Sequence, residues 1–174
     1  MVTLTIDGIE VSVERGASIL EAAQKAGVRI PTLCHDKRLI PYGACRLCMV
    51  EVTQRGRTRS MPACFNPARD GMVVATQTPK LIKSRRMQLM LLLRSHPLLC
   101  PSCDAAGNCK LQELVHEYEI EALPFHRETR YFNVDNDSHF IRFNMNLCIR
   151  CGMCVRICDE VQGQRELSFT NRGM

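Results

Sequence analysis

The chain opens on alternation. Val2, Leu4 and Ile6 are separated by polar residues, Asp7-Gly8 supplies a two-residue turn, and Ile9, Val11 and Val13 alternate back. A period of two puts each apolar set on one face, so the pattern predicts a β-hairpin. The period then lengthens. Ser18 and Glu21 form a capping-box pattern, Ile19, Leu20, Ala22 and Ala23 supply an apolar helix face, and Gly27 is placed to end it. Residues 34–48 read as a loop, 49–53 as a strand and 72–75 as another short strand. Thr78-Pro79 predicts a second helix start, with Thr as N-cap and Pro in the first turn. That helix runs to about residue 94, with Leu81, Ile82, Leu89, Leu92 and Leu93 on its packed face. Leu111, Leu114, Val115 and Tyr118 predict a further helix over 110–122. Residues 123–139 are polar and irregular and read as a linker, and the segment from Phe140 ends in a short helix. The pattern is α+β, with units over 1–78, 79–122 and 140–174.

Composition narrows what can hold such units together. Among 174 residues only 5% are aromatic and none is Trp, so large side chains for a deep core are scarce, yet eleven are Cys. Thin cores need staples, either disulfides or metals. The first residues lack a basic stretch followed by an apolar one, so they do not read as a secretion signal, and the apolar run at 89–93 is far too short to span a bilayer. The expectation is a reducing cytoplasmic setting without direct membrane insertion, where clustered thiols read as metal ligands. The odd cysteine count also argues against a closed disulfide framework. Net charge is +5 with every thiol counted neutral. Oxidised four-thiolate clusters carry about −2 each, and one with a neutral His in place of a thiolate about −1. Two of the first kind and one of the second bring the total near zero. The basic excess is better read as offsetting bound clusters than as a nucleic-acid face. On the same reasoning Arg55-Gly56-Arg57-Thr58-Arg59 and Lys83-Ser84-Arg85-Arg86 read as solvated faces.

The cysteines fall into three groups. Cys34, Cys45, Cys48 and Cys64 are separated by ten, two and fifteen residues. The two-residue gap lets neighbouring thiolates share one centre, and Gly43 allows backbone amides to approach sulfur. Zinc knuckles usually place two close pairs, whereas this group has one, which favours [2Fe–2S] over structural zinc. His96, Cys100, Cys103 and Cys109 follow, separated by three, two and five residues. Alone this set suits tetrahedral zinc and an iron–sulfur cluster equally; lying between two cluster-like groups, it is read as a [4Fe–4S] site. The third group, Cys148, Cys151, Cys154 and Cys158, has the C-x2-C-x2-C-x3-C spacing of bacterial cubane ferredoxins, with Asp159 where Pro usually stands. In two-cluster ferredoxins the fourth cysteine of such a run serves the other cluster. Either Cys158 closes a local cluster, or the first three need a ligand from polypeptide beyond residue 174. The one-turn spacing of Cys154 and Cys158 favours the second, and with it an apparently truncated third domain.

In this order the groups resemble the N-terminal iron–sulfur region of one set of redox subunits. The set comprises the large iron–sulfur subunit of respiratory complex I, the NAD-linked formate dehydrogenase alpha subunits, and the diaphorase and [FeFe]-hydrogenase subunits. The stretches that carry the likeness are Pro31-Thr32-Leu33-Cys34-His35, Gly43-Ala44-Cys45-Arg46-Leu47-Cys48, His96-Pro97-Leu98-Leu99-Cys100-Pro101-Ser102-Cys103, Gly107-Asn108-Cys109, and Cys148 to Cys158 with Asp159-Glu160-Val161-Gln162-Gly163.

The resemblance implies a β-grasp [2Fe–2S] ferredoxin domain, a small helical [4Fe–4S] domain with one His and three Cys ligands, and the start of a bacterial-type [4Fe–4S] ferredoxin domain. It also implies one or two further [4Fe–4S] clusters completed by residues outside this chain. The implied partners are a flavin-containing NAD(P)H-oxidising subunit, a thioredoxin-like [2Fe–2S] subunit, and a catalytic domain or subunit acting on formate, hydrogen or quinone. The Asp159-Glu160-Val161-Gln162-Gly163 stretch looks most like the formate dehydrogenase and hydrogenase branches. The chain itself shows no glycine-rich dinucleotide loop and no nucleophile–base pair, so no catalytic site is expected within it. The rival from another class is a zinc-stabilised interaction module.

Overall fold

Residues 1–128, 131–134, 139–140 and 143–170 are described by a computed structural model. Residues 129–130 and 135–138 of the expected linker, and 141–142 and 171–174 of the expected third domain, lie outside the described residues. The chain gathers into two compact units, residues 1–81 with 152–174, and residues 82–151.

The first unit is built on a five-stranded mixed sheet with the helix that follows its first hairpin packed against it, which bears out the α+β expectation for its region. The hairpin forms as the alternation predicts: β1 (Val2–Ile6) pairs antiparallel with β2 (Ile9–Val13), Val2 opposite Val13 and Ile6 opposite Ile9. Asp7 and Gly8 turn it with positive φ, and Asp7 also accepts hydrogen bonds from the amide and hydroxyl of buried Thr76. The helix α1 (Ile19–Lys25) starts on a complete capping box between Ser18 and Glu21. Its buried Ile19, Leu20, Ala22 and Ala23 join Leu4, Ile6, Val11 and Val13 in one core.

The remaining strands are β3 (Met49–Gln54), β4 (Arg57–Pro62) and β5 (Val73–Ala75), and the sheet order is β2-β1-β5-β3-β4. The charge run expected to be a solvated face is exposed, and its last residues also form a strand, β4, that the sequence reading did not include. Arg55 and Gly56, at φ +50° and +72°, make the two-residue turn that folds β3 back on β4 from Gln54↔Arg57 to Met49↔Pro62. As an edge strand with Arg57 to Ser60 exposed, β4 has no apolar alternation for the sequence to show.

The second unit holds two helices. The helix α2 (Pro79–Arg94) begins where Thr78 Oγ1 accepts the Leu81 amide at 3.3 Å. Its buried positions are Leu81, Arg85, Leu89 and Leu93, a strict i, i+4 stripe. Ile82, expected on the packed face, is exposed, and Arg85, expected on a solvated one, is fully buried, with Nη1 3.3 Å from the Tyr118 hydroxyl. The helix α3 (Lys110–Glu117) buries Leu111 and Leu114 and stops short of residue 122, the chain turning at Glu119 with φ +50°. Glu128 is tied back to the end of α2 by its amide on Arg94 O at 3.0 Å and by the 2.6 Å Arg94 ion pair. Among the described residues no helix is long and apolar enough to cross a membrane.

Candidate metal centres

None of the eleven cysteines is joined in a disulfide. The first group is assembled by the sheet. Cys48 immediately precedes β3 and Cys64 follows β4, so the hairpin register carries two residues distant in sequence to the same end of one ladder. Their sulfurs lie 3.3 Å apart in a hydrogen bond. The loop bearing Cys64 is pinned on both sides. The Ala63 amide donates to Cys48 O at 2.9 Å, and α1 reaches it through Leu20 N–H on Ala63 O and Ile19 N–H on Asn66 O. Cys34 and Cys45 form the second pair, with the Cys45 amide 3.4 Å from the Cys34 sulfur and a hydrogen bond between the two thiols. Cys34, Cys48 and Cys64 are buried and Cys45 half-buried.

Electrostatics within the group is that of protons shared in pairs. Cys45 is drawn down to about 5, first by its hydrogen bond with Cys34, against burial, and then by backbone amides including that of Leu47. Cys48 is drawn down to about 7 by Cys64 and by the amides of Cys64 and Ala63, again against burial. Their partners move the other way: Cys34 is pushed far up by its bond to Cys45 and by burial. Cys64 is pushed far up by Cys48, by burial, and by the charges of Cys48, Cys34 and Cys45. One proton remains in each pair because four adjacent thiolates would repel without a cation among them.

The backbone around this group is shaped for anions. Arg46, between Cys45 and Cys48, has φ +57°, and Gly43 has φ +66°. A Cβ on Gly43 would meet Pro62 at an ordinary 3.7 Å, so glycine is called for there by its φ rather than by room. Left-handed residues interleaved with ordinary ones turn successive N–H groups inward, the amide nest found at phosphate and iron–sulfur sites. Arg150 repeats the device in the third group: at φ +57° it donates its amide to the Cys148 sulfur at 3.4 Å. Neither arginine carries a sequence signal for this, since non-glycine residues adopt positive φ only when tertiary context demands it.

The second group lies on the loop from α2 to α3. His96 is half-buried, and its Nδ1 is buried with no hydrogen-bond partner. Burial first, then the positive charges of Arg150 and Arg127, hold its pKa below the ordinary value, against a hydrogen bond to the Cys148 backbone. A neutral ring with one nitrogen fastened and the other open is the form in which histidine ligates metal. Cys100 opens a 3₁₀ turn (Cys100–Ser102), and the Cys103 amide closes it on Cys100 O at 3.3 Å. Cys109 stands at the N-cap position of α3, and Gln112 reaches back to accept the Gly107 amide at 2.9 Å.

In the third group Cys148 and Cys151 belong to one compact unit and Cys154 and Cys158 to the other. Gly152, at φ +72°, starts α4 (Met153–Arg156), which passes into a π-helical turn (Ile157–Val161). Cys154 is exposed and Cys158 is buried.

Among the described residues no three His, Cys, Asp or Glu side chains converge on a position for a single ion. A [2Fe–2S] cluster needs two thiolates on each of two irons, which suits the pairs Cys34/Cys45 and Cys48/Cys64. A cubane takes one ligand at each iron and spreads them further still.

Residues 1–79 match a 2Fe-2S iron-sulfur cluster binding domain, and residues 85–123 match the NADH-ubiquinone oxidoreductase-G iron-sulfur binding region. The chain is 43% identical over 176 residues to an NADH-quinone oxidoreductase subunit of Rhizobium meliloti, covering 100% of this chain and 20% of that protein. It is 41% identical over 178 residues to the NADPH-Fe(3+) oxidoreductase subunit alpha of Geobacter sulfurreducens, covering 99% of this chain and again 20% of that protein. Among solved structures it resembles a chain of the NAD+-reducing [NiFe]-hydrogenase in the H2-reduced state. The TM-score is 0.88 at 32% identity, over 99% of this chain and 71% of that one.

Proposed function

Because this chain belongs to the family of iron–sulfur subunits of NAD(P)H-linked oxidoreductases, we propose that it conducts electrons between a pyridine-nucleotide-oxidising flavin subunit and a distal redox centre. Cys34 and Cys45 would hold one iron of a [2Fe–2S] cluster, Cys48 and Cys64 the other. His96, Cys100, Cys103 and Cys109 would hold a [4Fe–4S] cluster. Cys148, Cys151, Cys154 and Cys158 would serve one or two more, completed by residues beyond this chain. Such clusters supply one-electron transfer without bond-making in the protein. The chain's own residues orient the sulfurs, direct amide dipoles at them and limit water.

The observation that carries this reading is the pairing of four thiols at the end of the β3–β4 ladder, with inward amides and no third ligand for a single ion. The relatives are subunits named for NADH–quinone, NADPH–Fe(3+) and NAD+–hydrogenase chemistry. They support a hydrogen- or quinone-linked assembly; a flavin subunit and a thioredoxin-like [2Fe–2S] subunit upstream rest on the resemblance of the cysteine-bearing stretches. A formate-linked catalytic domain rests on the Asp159–Gly163 resemblance alone. A cytoplasmic location rests on the clustered thiols, which stay available as ligands in a reducing compartment.

Anaerobic isolation with iron, acid-labile sulfide and zinc analysis tests the reading, together with EPR of the reduced protein. Iron with equimolar sulfide and at least two distinct reduced-cluster spectra are expected. Zinc without sulfide overturns the proposal in favour of an interaction module. Redox titration of His96→Cys checks the histidine separately. Replacing a neutral donor by a thiolate lowers that cluster's midpoint potential, and an unchanged or higher value removes His96 from the ligand set.

A further inference from the structure

The helical segment that carries Cys154 and Cys158 also grips the loop between Cys34 and Cys45. Arg156 and Glu160 are an i, i+4 ion pair at 2.8 Å, with side chains 9% and 22% exposed. Between them they take both backbone groups of a single residue. Glu160 Oε2 accepts the Ile40 amide at 2.7 Å, and Arg156 Nη2 donates to the Ile40 carbonyl. The same guanidinium lies over the Tyr42 ring, 4.2 Å from its centroid. Close by, a Cβ on Gly152 would come within 3.0 Å of the Tyr42 hydroxyl oxygen and of Phe169. Ile40 is 74% exposed while its neighbour Leu39 is buried, so at Ile40 itself the loop is held by its peptide groups. Burying an ion pair costs desolvation that hydrophobic residues of like size would avoid, so as a plain staple this pair is a poor choice. What it provides is geometry: two charge-assisted hydrogen bonds to one peptide, plus a stacked ring, fix both distance and orientation.

We propose that Arg156 and Glu160 are positioning residues. They clamp Ile40 and so hold the Cys34–Cys45 loop at a fixed separation from the helix bearing Cys154 and Cys158, which sets the electronic coupling between the clusters those cysteines serve. The proposal rests on the electron-carrier reading above. Tunnelling falls exponentially with separation; buried Leu39 anchors the loop on its inner side, and the clamp at exposed Ile40 fixes its distance and orientation toward the helix.

The test uses the full-length protein isolated anaerobically, as wild type, Glu160→Ala, Glu160→Gln and Arg156→Lys. Hydrogen exchange followed by mass spectrometry reads the Ile40 amide, and EPR reads the magnetic interaction between the [2Fe–2S] cluster and its neighbour. In Glu160→Ala the Ile40 amide exchanges about tenfold faster, the loss expected for one hydrogen bond to a charged acceptor. The interaction weakens or spreads while iron and sulfide contents stay at wild-type values. Glu160→Gln, which keeps an acceptor, and Arg156→Lys, which keeps the charge, fall between. Unchanged Ile40 exchange in Glu160→Ala overturns the clamp. Faster exchange with an unaltered magnetic interaction overturns the positioning role. A wild-type protein with no [2Fe–2S] spectrum overturns the electron-carrier reading itself. That failure is distinct from a failed clamp, because Ile40 exchange responds to Glu160→Ala with or without a cluster.

Discussion

The cysteine groups in the two regions are built on different principles. Cys48 and Cys64 flank a ladder whose register, capping box and core are built of backbone hydrogen bonds and apolar contacts. Their sulfurs are already paired. Cys100, Cys103 and Cys109, all half-buried, are held by a 3₁₀ turn, a helix N-cap and a few loop hydrogen bonds. One site is preorganised by its fold. The other is a loop, and we expect it to gain its order from a bound cluster, whose binding free energy would then be folding free energy.

Removing the clusters should therefore separate the regions most strongly. Chelation under reducing conditions, followed by hydrogen exchange, should leave β1, β3 and β5 protected. Amides of the 96–109 loop should lose protection by roughly a hundredfold or more, as in segments opened by local unfolding. Equal loss in both regions would break the contrast.

Single ligands sharpen it. Cys48→Ser should abolish the [2Fe–2S] spectrum while the far-ultraviolet circular dichroism of the sheet is kept, since the ladder does not depend on the sulfur. Cys103→Ser should abolish one cubane signal and increase protease cleavage within 96–109. Loss of the sheet in Cys48→Ser would show that the first site is not preorganised.

A third test addresses how the second unit holds its helices. Arg85 sits at the centre of the buried α2 stripe against the Tyr118 hydroxyl. Arg85→Ala removes a buried cation and strands its partners, at a cost of about 3 kcal/mol in denaturant unfolding. Arg85→Met, of similar length and apolar, should cost less than about 1.5 kcal/mol. Equal effects would show that the charge, and not the packing, is what the unit requires.

The smallest effect belongs to the first unit. Ser18→Ala deletes the capping box and should cost about 1 kcal/mol with the clusters intact. Glu21 is held below its usual carboxylate value by the Ser18 amide first and the Ser18 hydroxyl second. Its contribution is complete above the unfolded value of 4.5 and is lost as pH falls through the lower folded value. The difference between wild type and Ser18→Ala should shrink over that acid range. A difference independent of pH would remove Glu21 from the cap.

What could be read without the structure was whatever depends on near neighbours. The Asp7-Gly8 hairpin, the Ser18–Glu21 cap, the Thr78 helix start and the grouping of the cysteines are set by residues within a few positions of one another, and so leave a pattern in the chain. Three features did not. The β4 strand lies on an edge, where exposed Arg57 to Ser60 need no apolar alternation, yet it brings Cys64 to Cys48. Arg85 looks like one more surface charge until α2 turns it inward toward Tyr118. Arg156 and Glu160 stand four residues apart with nothing in the chain to single them out, and only the fold places Ile40 between them. The sequence alone determined which residues could be ligands, because the chemistry of thiol and imidazole is local. Which sulfur stands beside which, and what holds the loops that carry them, was decided by the tertiary structure. Pairing, burial and backbone direction belong to segments that meet only in three dimensions.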